Sequence, residues 1–162
     1  MPLLRFERIV LLKTTQIATY RHIVHFRKMA MHQLQYLTQS NFAAVVAACK
    51  TYESQYVTLA SGEVVAAPTR TEGGSMGAAQ NLRQLLGTLS DAAFAELLAL
   101  AWTGRAVVSN SGWDFSANLE QAVSDINRDS SGRDYLVTKA YSLRDYLEIG
   151  LAHSGATFLR TF

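Results

Sequence analysis

The chain has 162 residues, of which 49% are hydrophobic and 17% charged, with a formal net charge of +2. This composition excludes a disordered polymer and is long enough for one domain to bury a sizeable core. The single cysteine, Cys49, excludes an internal disulfide framework and agrees with a reducing, cytoplasmic setting.

Residues 1–33 stand apart. They hold six basic residues (Arg5, Arg8, Lys13, Arg21, Arg27 and Lys28) against Glu7 alone, a net +5. The remaining chain has nine basic and twelve acidic residues, a net −3. The basic character therefore belongs to this segment, and a basic-domain argument for nucleic acid fails without it. Phe6, Val10, Ile17, Tyr20 and Val24 follow one helical stripe interrupted by Lys13. The β-branched content also permits a hairpin. No apolar run is long enough to span a membrane, and Lys13 closes Leu11-Leu12 before a secretory core forms. Four readings remain open. The segment is an extension before a domain starting near Met29 or Met31, an amphipathic helix on an anionic membrane surface, a nucleic-acid arm, or a targeting segment.

The helical domain is expected over 34–156. Thr38 or Ser40 caps a first helix over about 39–58, with Phe42, Val45, Val46, Cys49 and Tyr56 inward. Cys49 on that stripe reads as a buried structural thiol. Residues 60–78 are expected as an irregular surface loop, punctuated by Pro68 and several glycines. Its Gly-Gly-Ser-Met-Gly run lacks the lysine and spacing of a phosphate-cradling loop. Leu82, Leu85, Leu86 and Leu89 mark a second helix from about Ala78, ending near Gly87.

Ser90 caps the central element, with Asp91 in its first turn. In Phe94–Arg105, only Glu96, Thr103 and Arg105 break an apolar run, so this helix is expected to be buried on nearly every face. Residues 106–115 form a loop. Asp114 or Ser116 caps a fourth helix with Phe115, Leu119, Ala122, Val123 and Ile126 inward. Arg133–Thr138 is a short helical turn. Ser142 starts the last helix, with Asp145 in a capping-box position. Gly150 implies close packing against another element, Gly155 ends the helix, and 157–162 is a tail. The expectation is one compact all-α domain of about five helices around a buried central helix, with a basic N-terminal extension.

Glu96-Leu97-x-Ala99-Leu100-x-Trp102-x-Gly104-Arg105 resembles the central pattern of a small bacterial family, domain of unknown function 3775. Leu143-x-x-Tyr146-Leu147-Glu148-x-Gly150-Leu151 is similar to the closing helix of that family, with Asp145 supplying its aspartate and Tyr135-Leu136 also fitting. The resemblance spans roughly 34–154. It departs where the family often carries an acid after the arginine, since Ala106-Val107 follow here. The resemblance implies an all-helical cytoplasmic domain and no particular activity.

No catalytic constellation emerges. The chain lacks a nucleophile elbow, a paired-histidine zinc motif and a paired-cysteine motif. His22, His25 and His32 lie in the extension and His153 lies far from them, so neither a metal site nor a cofactor is expected. Glu96 is the acid expected to be most buried. It serves either as a structural partner for backbone or basic groups, or as an acid–base group in a pocket. Arg105 and Trp113 are the candidate binding residues, because arginine and tryptophan are enriched at binding hot spots. Three functional readings follow. The first is a non-enzymatic protein-interaction module or modulator of a larger complex, of the kind phages and mobile elements encode. The second is a nucleic-acid binder using the 1–33 arm. The third is an enzyme using Glu96. The oligomeric state is left open.

Overall fold

The computed structural model describes residues 32–58, 64–66, 74–128 and 132–159, with 56–58, 64–66 and 74–76 described by backbone alone. All of them fall in the unit His32–Phe162. The alternatives for residues 1–31 and the glycines at 62 and 73 lie outside the described residues. In chain order the elements are β1 (Gln33–Leu34), α1 (Gln39–Glu53), β2 (Tyr56–Thr58), β3 (Val64–Ala66), α2 (Gly74–Thr88), α3 (Asp91–Val108), α4 (Phe115–Arg128), α5 (Gly132–Thr138), α6 (Ala140–Ser154) and β4 (Thr157–Phe158). The fold is all-α, with only short strand pairs at its margins.

Helix α3 is the axis. Ser90 accepts a hydrogen bond from the Ala93 N–H at 3.2 Å, and Asp91 lies in the first turn where the helix dipole favours an acid. Every residue from Ala93 to Ala101 is buried, as are Thr103 and Gly104. Each fully buried leucine or phenylalanine contributes about 1.5–3 kcal/mol of apolar transfer free energy, and Phe94, Leu97, Leu98 and Leu100 all belong to the core. The two polar interior residues are satisfied. Thr103 donates to the Ala99 carbonyl at 2.8 Å and accepts from Asn118 Nδ2 at 3.0 Å, which ties α3 to α4.

Helix α6 makes the most extensive packing with α3, and α4 covers a second side. Two glycines allow the α3–α6 approach. A Cβ at Gly104 would fall on the Tyr146 carbonyl, and one at Gly150 would fall on the Leu100 carbonyl. The close packing expected at Gly150 is thus matched by a reciprocal glycine on α3. Helix α1 packs on α2 and α6, and α2 packs on α5.

Several boundaries differ from the sequence reading. Helix α1 stops at Glu53, where the Ser54 N–H closes on the Lys50 carbonyl at 3.1 Å and the Gln55 N–H on Tyr52 at 3.0 Å. The aromatic and β-branched residues Tyr56-Val57-Thr58 then turn extended and pair antiparallel with Val64–Ala66. The stretch 60–78 therefore contains a strand and the first turn of α2, which begins at Gly74. Helix α3 runs on to Val108 through residues expected as loop, and Asn110 adopts φ 52° just beyond it. Helix α4 has Asp114 as its cap, accepting from the Ser116 N–H at 3.0 Å and the Ala117 N–H at 3.3 Å. Val123, expected inward, is 46% exposed, while Phe115 and Ala122 are buried. Helix α6 starts at Ala140, not Ser142, with Lys139 before it and no side-chain cap. The Ser142 N–H instead bonds the Lys139 carbonyl, and Asp145 pairs with Arg144 at 3.2 Å. Gly155 ends α6 in the left-handed conformation, φ 67°.

The expected C-terminal tail supplies β4. It pairs parallel with β1, Gln33 opposite Thr157 and Leu34 opposite Phe158. His32 joins this end of the unit as well: its carbonyl accepts from the Thr157 N–H at 2.8 Å, and its ring lies 5.2 Å from that of Phe115. No helix among the described residues is long and apolar enough to cross a membrane.

Candidate binding groove

Glu96 is 5% exposed, and its carboxylate accepts three backbone N–H groups. Gln35 donates to one oxygen at 2.8 Å, and Tyr36 and Leu37 donate to the other at 3.1 and 2.6 Å. Charge-assisted bonds of this kind are stronger than neutral ones. The buried acid thus holds the turn after β1 against the central helix. Sequence reasoning had placed backbone capping among its roles, but the partners lie some sixty positions away and leave no local signal.

Arg133 plays a comparable part and gave no sequence signal. From α5 it donates to the Leu86 and Leu89 carbonyls, each at 3.0 Å, so it satisfies carbonyls at the C-terminal end of α2. It also meets Asp91 at 3.0 Å and stacks 4.7 Å over the Phe94 ring.

Cys49 is fully buried, and burial first, then the charge of Glu53, pushes its thiol up to about 12. It is a packed apolar group, not a nucleophile. Glu53 ion-pairs with Arg144 at 3.3 Å. Burial holds its carboxyl above the usual range, with Asp145 and Glu148 adding to that and Arg144 opposing it. Among the described residues, no cluster of histidine, cysteine and acid could hold a metal ion.

A groove of about 490 Å³ opens between α3, α4 and α5. Leu98 and Trp102 from α3 and Ile126 from α4 give it an apolar floor, and Arg105, Arg128 and Tyr135 stand around it. Arg105 lies one helical turn beyond Ala101 on α3, and its Nη1 donates to the Tyr135 hydroxyl at 3.0 Å. This bond holds the guanidinium beside Tyr135 of α5. Arg128 closes α4 at the negative end of its dipole. Its side chain has no hydrogen bond or ion pair within the described residues. Lys139 sits 5.8 Å above the Tyr135 ring. The acid in the groove, Asp125, accepts from Gln121 at 2.7 Å. The site is therefore an amphipathic groove with a cationic rim.

Of the two residues singled out from sequence, the groove includes Arg105 and not Trp113. Trp113 is half-buried in the α3–α4 loop and meets His153 edge-on, ring centroids 6.3 Å apart. Trp102, in the helix expected to be buried on nearly every face, is half-buried along the groove. The wall that sequence reasoning missed is Tyr135 with Arg128, because α5 and the end of α4 converge only in the tertiary fold.

The segment that builds this groove is also the segment that a family model matches. Residues 79–156 match the family model of DUF3775, a protein of unknown function. The match covers α3 to α6 and most of α2, a shorter span than the 34–154 suggested by the resemblance. Within the matched segment lie the paired glycines, Glu96, Arg133 and every groove residue. The three backbone donors to Glu96 lie outside it, in the turn after β1. No curated protein and no solved structure matches the chain.

Proposed function

We propose that this protein is a non-enzymatic interaction module of the cytoplasm, which docks a partner protein in the α3–α4–α5 groove and modulates a larger complex. The observation that carries this reading is the groove's composition. A tyrosine and two arginines stand around an apolar floor that includes a half-buried tryptophan. Those residue types dominate binding energy at protein interfaces, and here they converge at one concave place. The main competing use of a buried acid is weakened, because both oxygens of Glu96 are engaged by backbone donors.

A photo-cross-linking amino acid at position 128 tests the reading in the cell that makes the protein. Position 84, exposed on α2 and not part of the groove lining, is the control. A discrete adduct with one partner, formed from 128 and not from 84, is expected. Equal labelling from both positions would refute the groove as the docking site. The second reading, nucleic-acid binding through the 1–33 segment, is favoured by that segment's net +5. It predicts an affinity that falls steeply with salt and disappears when residues 1–31 are removed.

A further inference from the structure

Building on the protein-docking reading, we infer that the groove's occupant is an acidic peptide segment in which a large apolar side chain neighbours a carboxylate. Three observations lead there. The rim carries the charges of Arg105 and Arg128, with Lys139 close by on Tyr135, against the single acid Asp125. Arg105 spends one donor on Tyr135, and within the described residues its other donors have no acceptor. The guanidinium is thus oriented but left with donors to share, the arrangement that suits a carboxylate from a partner. Arg128 likewise offers all its donors.

The floor decides the second half of the ligand. Leu98, Trp102 and Ile126 form a continuous apolar strip, and the volume of about 490 Å³ is of the size that encloses a small ligand or a few side chains. A purely anionic ligand would leave that strip uncovered. A leucine or phenylalanine beside the acid would fill it while the acid reaches the rim.

Asp125 selects between anionic partners. Its carboxylate faces the groove with one oxygen on Gln121, and it can accept an N–H from a peptide backbone. A nucleic-acid strand brings phosphates and no such donors in its backbone, so the same residue repels it. A peptide meets each part of the groove: carboxylates at the arginines, an apolar residue on the floor, and main-chain N–H at Asp125.

The test uses the full chain and fluorescence anisotropy. The probes are short fluorescein-labelled peptides alternating glutamate with leucine, glutamine with leucine, lysine with leucine, and glutamate with serine, together with a single-stranded oligonucleotide. The glutamate–leucine peptide is expected to bind tightest. Arg128→Glu should weaken it roughly fivefold, as loss of an exposed ion pair does. The same variant should gain affinity for the lysine–leucine peptide. Because the Arg128 side chain bonds nothing in the described residues and only the charge at the end of α4 is reversed, circular dichroism should show a retained helical fold. Equal binding of the glutamine and glutamate peptides would overturn the acidic occupant and leave the docking groove standing. Glutamate–serine binding as tight as glutamate–leucine would overturn the apolar requirement. Binding of the oligonucleotide alone, lost in Arg128→Glu, or no binding of any peptide at millimolar concentration, would overturn both the inference and the docking reading.

Discussion

Gly150→Ala and Gly87→Ala are the same chemical change, and the structure gives them opposite signs. Alanine in a helix is favoured over glycine by up to about 1 kcal/mol. At Gly87 a Cβ meets nothing within 4 Å, so that preference acts alone. Because the site is near the end of α2, a gain of about 0.5 kcal/mol is expected. At Gly150 the Cβ would fall on the Leu100 carbonyl oxygen, with the carbonyl carbon at 2.8 Å and the Gly104 nitrogen at 3.1 Å. All three are backbone atoms of a packed helix and cannot rotate away. Helices α3 and α6 must separate, which loosens the contact that Leu143 and Leu147 make with the core. Overpacking of this kind costs about 1–3 kcal/mol, and the backbone obstacle places Gly150 at the upper end. Subtracting the helix preference leaves a net loss of roughly 2 kcal/mol. For a chain of this size that is a melting-temperature drop of roughly 4–8 °C. Urea denaturation followed by circular dichroism measures both variants. The Gly104→Ala/Gly150→Ala double variant should lose less than the sum of the single losses, since the first substitution already opens the interface. If Gly150→Ala is as stable as the parent, or if the two losses add fully, the close helix approach is wrong.

Other expectations follow from the polar anchors. Glu96→Gln replaces one acceptor oxygen with a donor facing backbone N–H groups, so it should destabilise by about 3 kcal/mol in the same denaturation assay. Unchanged stability would show that Glu96 does not hold the turn. Arg133→Lys loses the planar fork that reaches the Leu86 and Leu89 carbonyls, and a loss of about 1–2 kcal/mol is expected. Hydrogen exchange should show it concentrated at the end of α2. Glu53 supplies a pH dependence. Its folded carboxyl is raised, so the folded state holds the proton more tightly than the unfolded one. That contribution is fully present below the ordinary glutamate range and declines as pH rises through the folded value. Glu53→Gln should flatten this part of the stability–pH profile; a parent profile that rises with pH where Glu53→Gln is flat would reverse the assignment.

The α-helical class was legible because its signals are local. Ser90 and Thr38 cap where their spacing says they should, and Phe94–Thr103, apolar but for Glu96 and Thr103, could only be buried. Gly150 announced a close contact through its cost in a helix, although nothing in sequence names Leu100 as the neighbour. Boundaries failed where a residue's preference is decided by tertiary partners. Tyr56-Val57-Thr58 left the helix because Val64–Ala66 provides a pairing edge, and Val123 faces outward because α4 packs through Phe115 and Ala122. Arg105 was singled out through its type and position at the end of an apolar helix. Its bond to Tyr135, thirty positions away, was not, and neither was the convergence with Arg128 that makes a groove.

The parallel pairing of β1 with β4 bears on the order in which the chain acquires its structure. A strand at Gln33 that waits for Thr157 closes a loop spanning the whole helical unit. Such a contact adds little local reward until the helices between are packed, so it forms late. Glu96 offers the turn at Gln35–Leu37 an earlier attachment, at about half that separation along the chain. During synthesis the first residues of the unit can therefore dock onto α3 once it has emerged, while the strand beside them stays single until Thr157 and Phe158, beyond the end of α6, have been made.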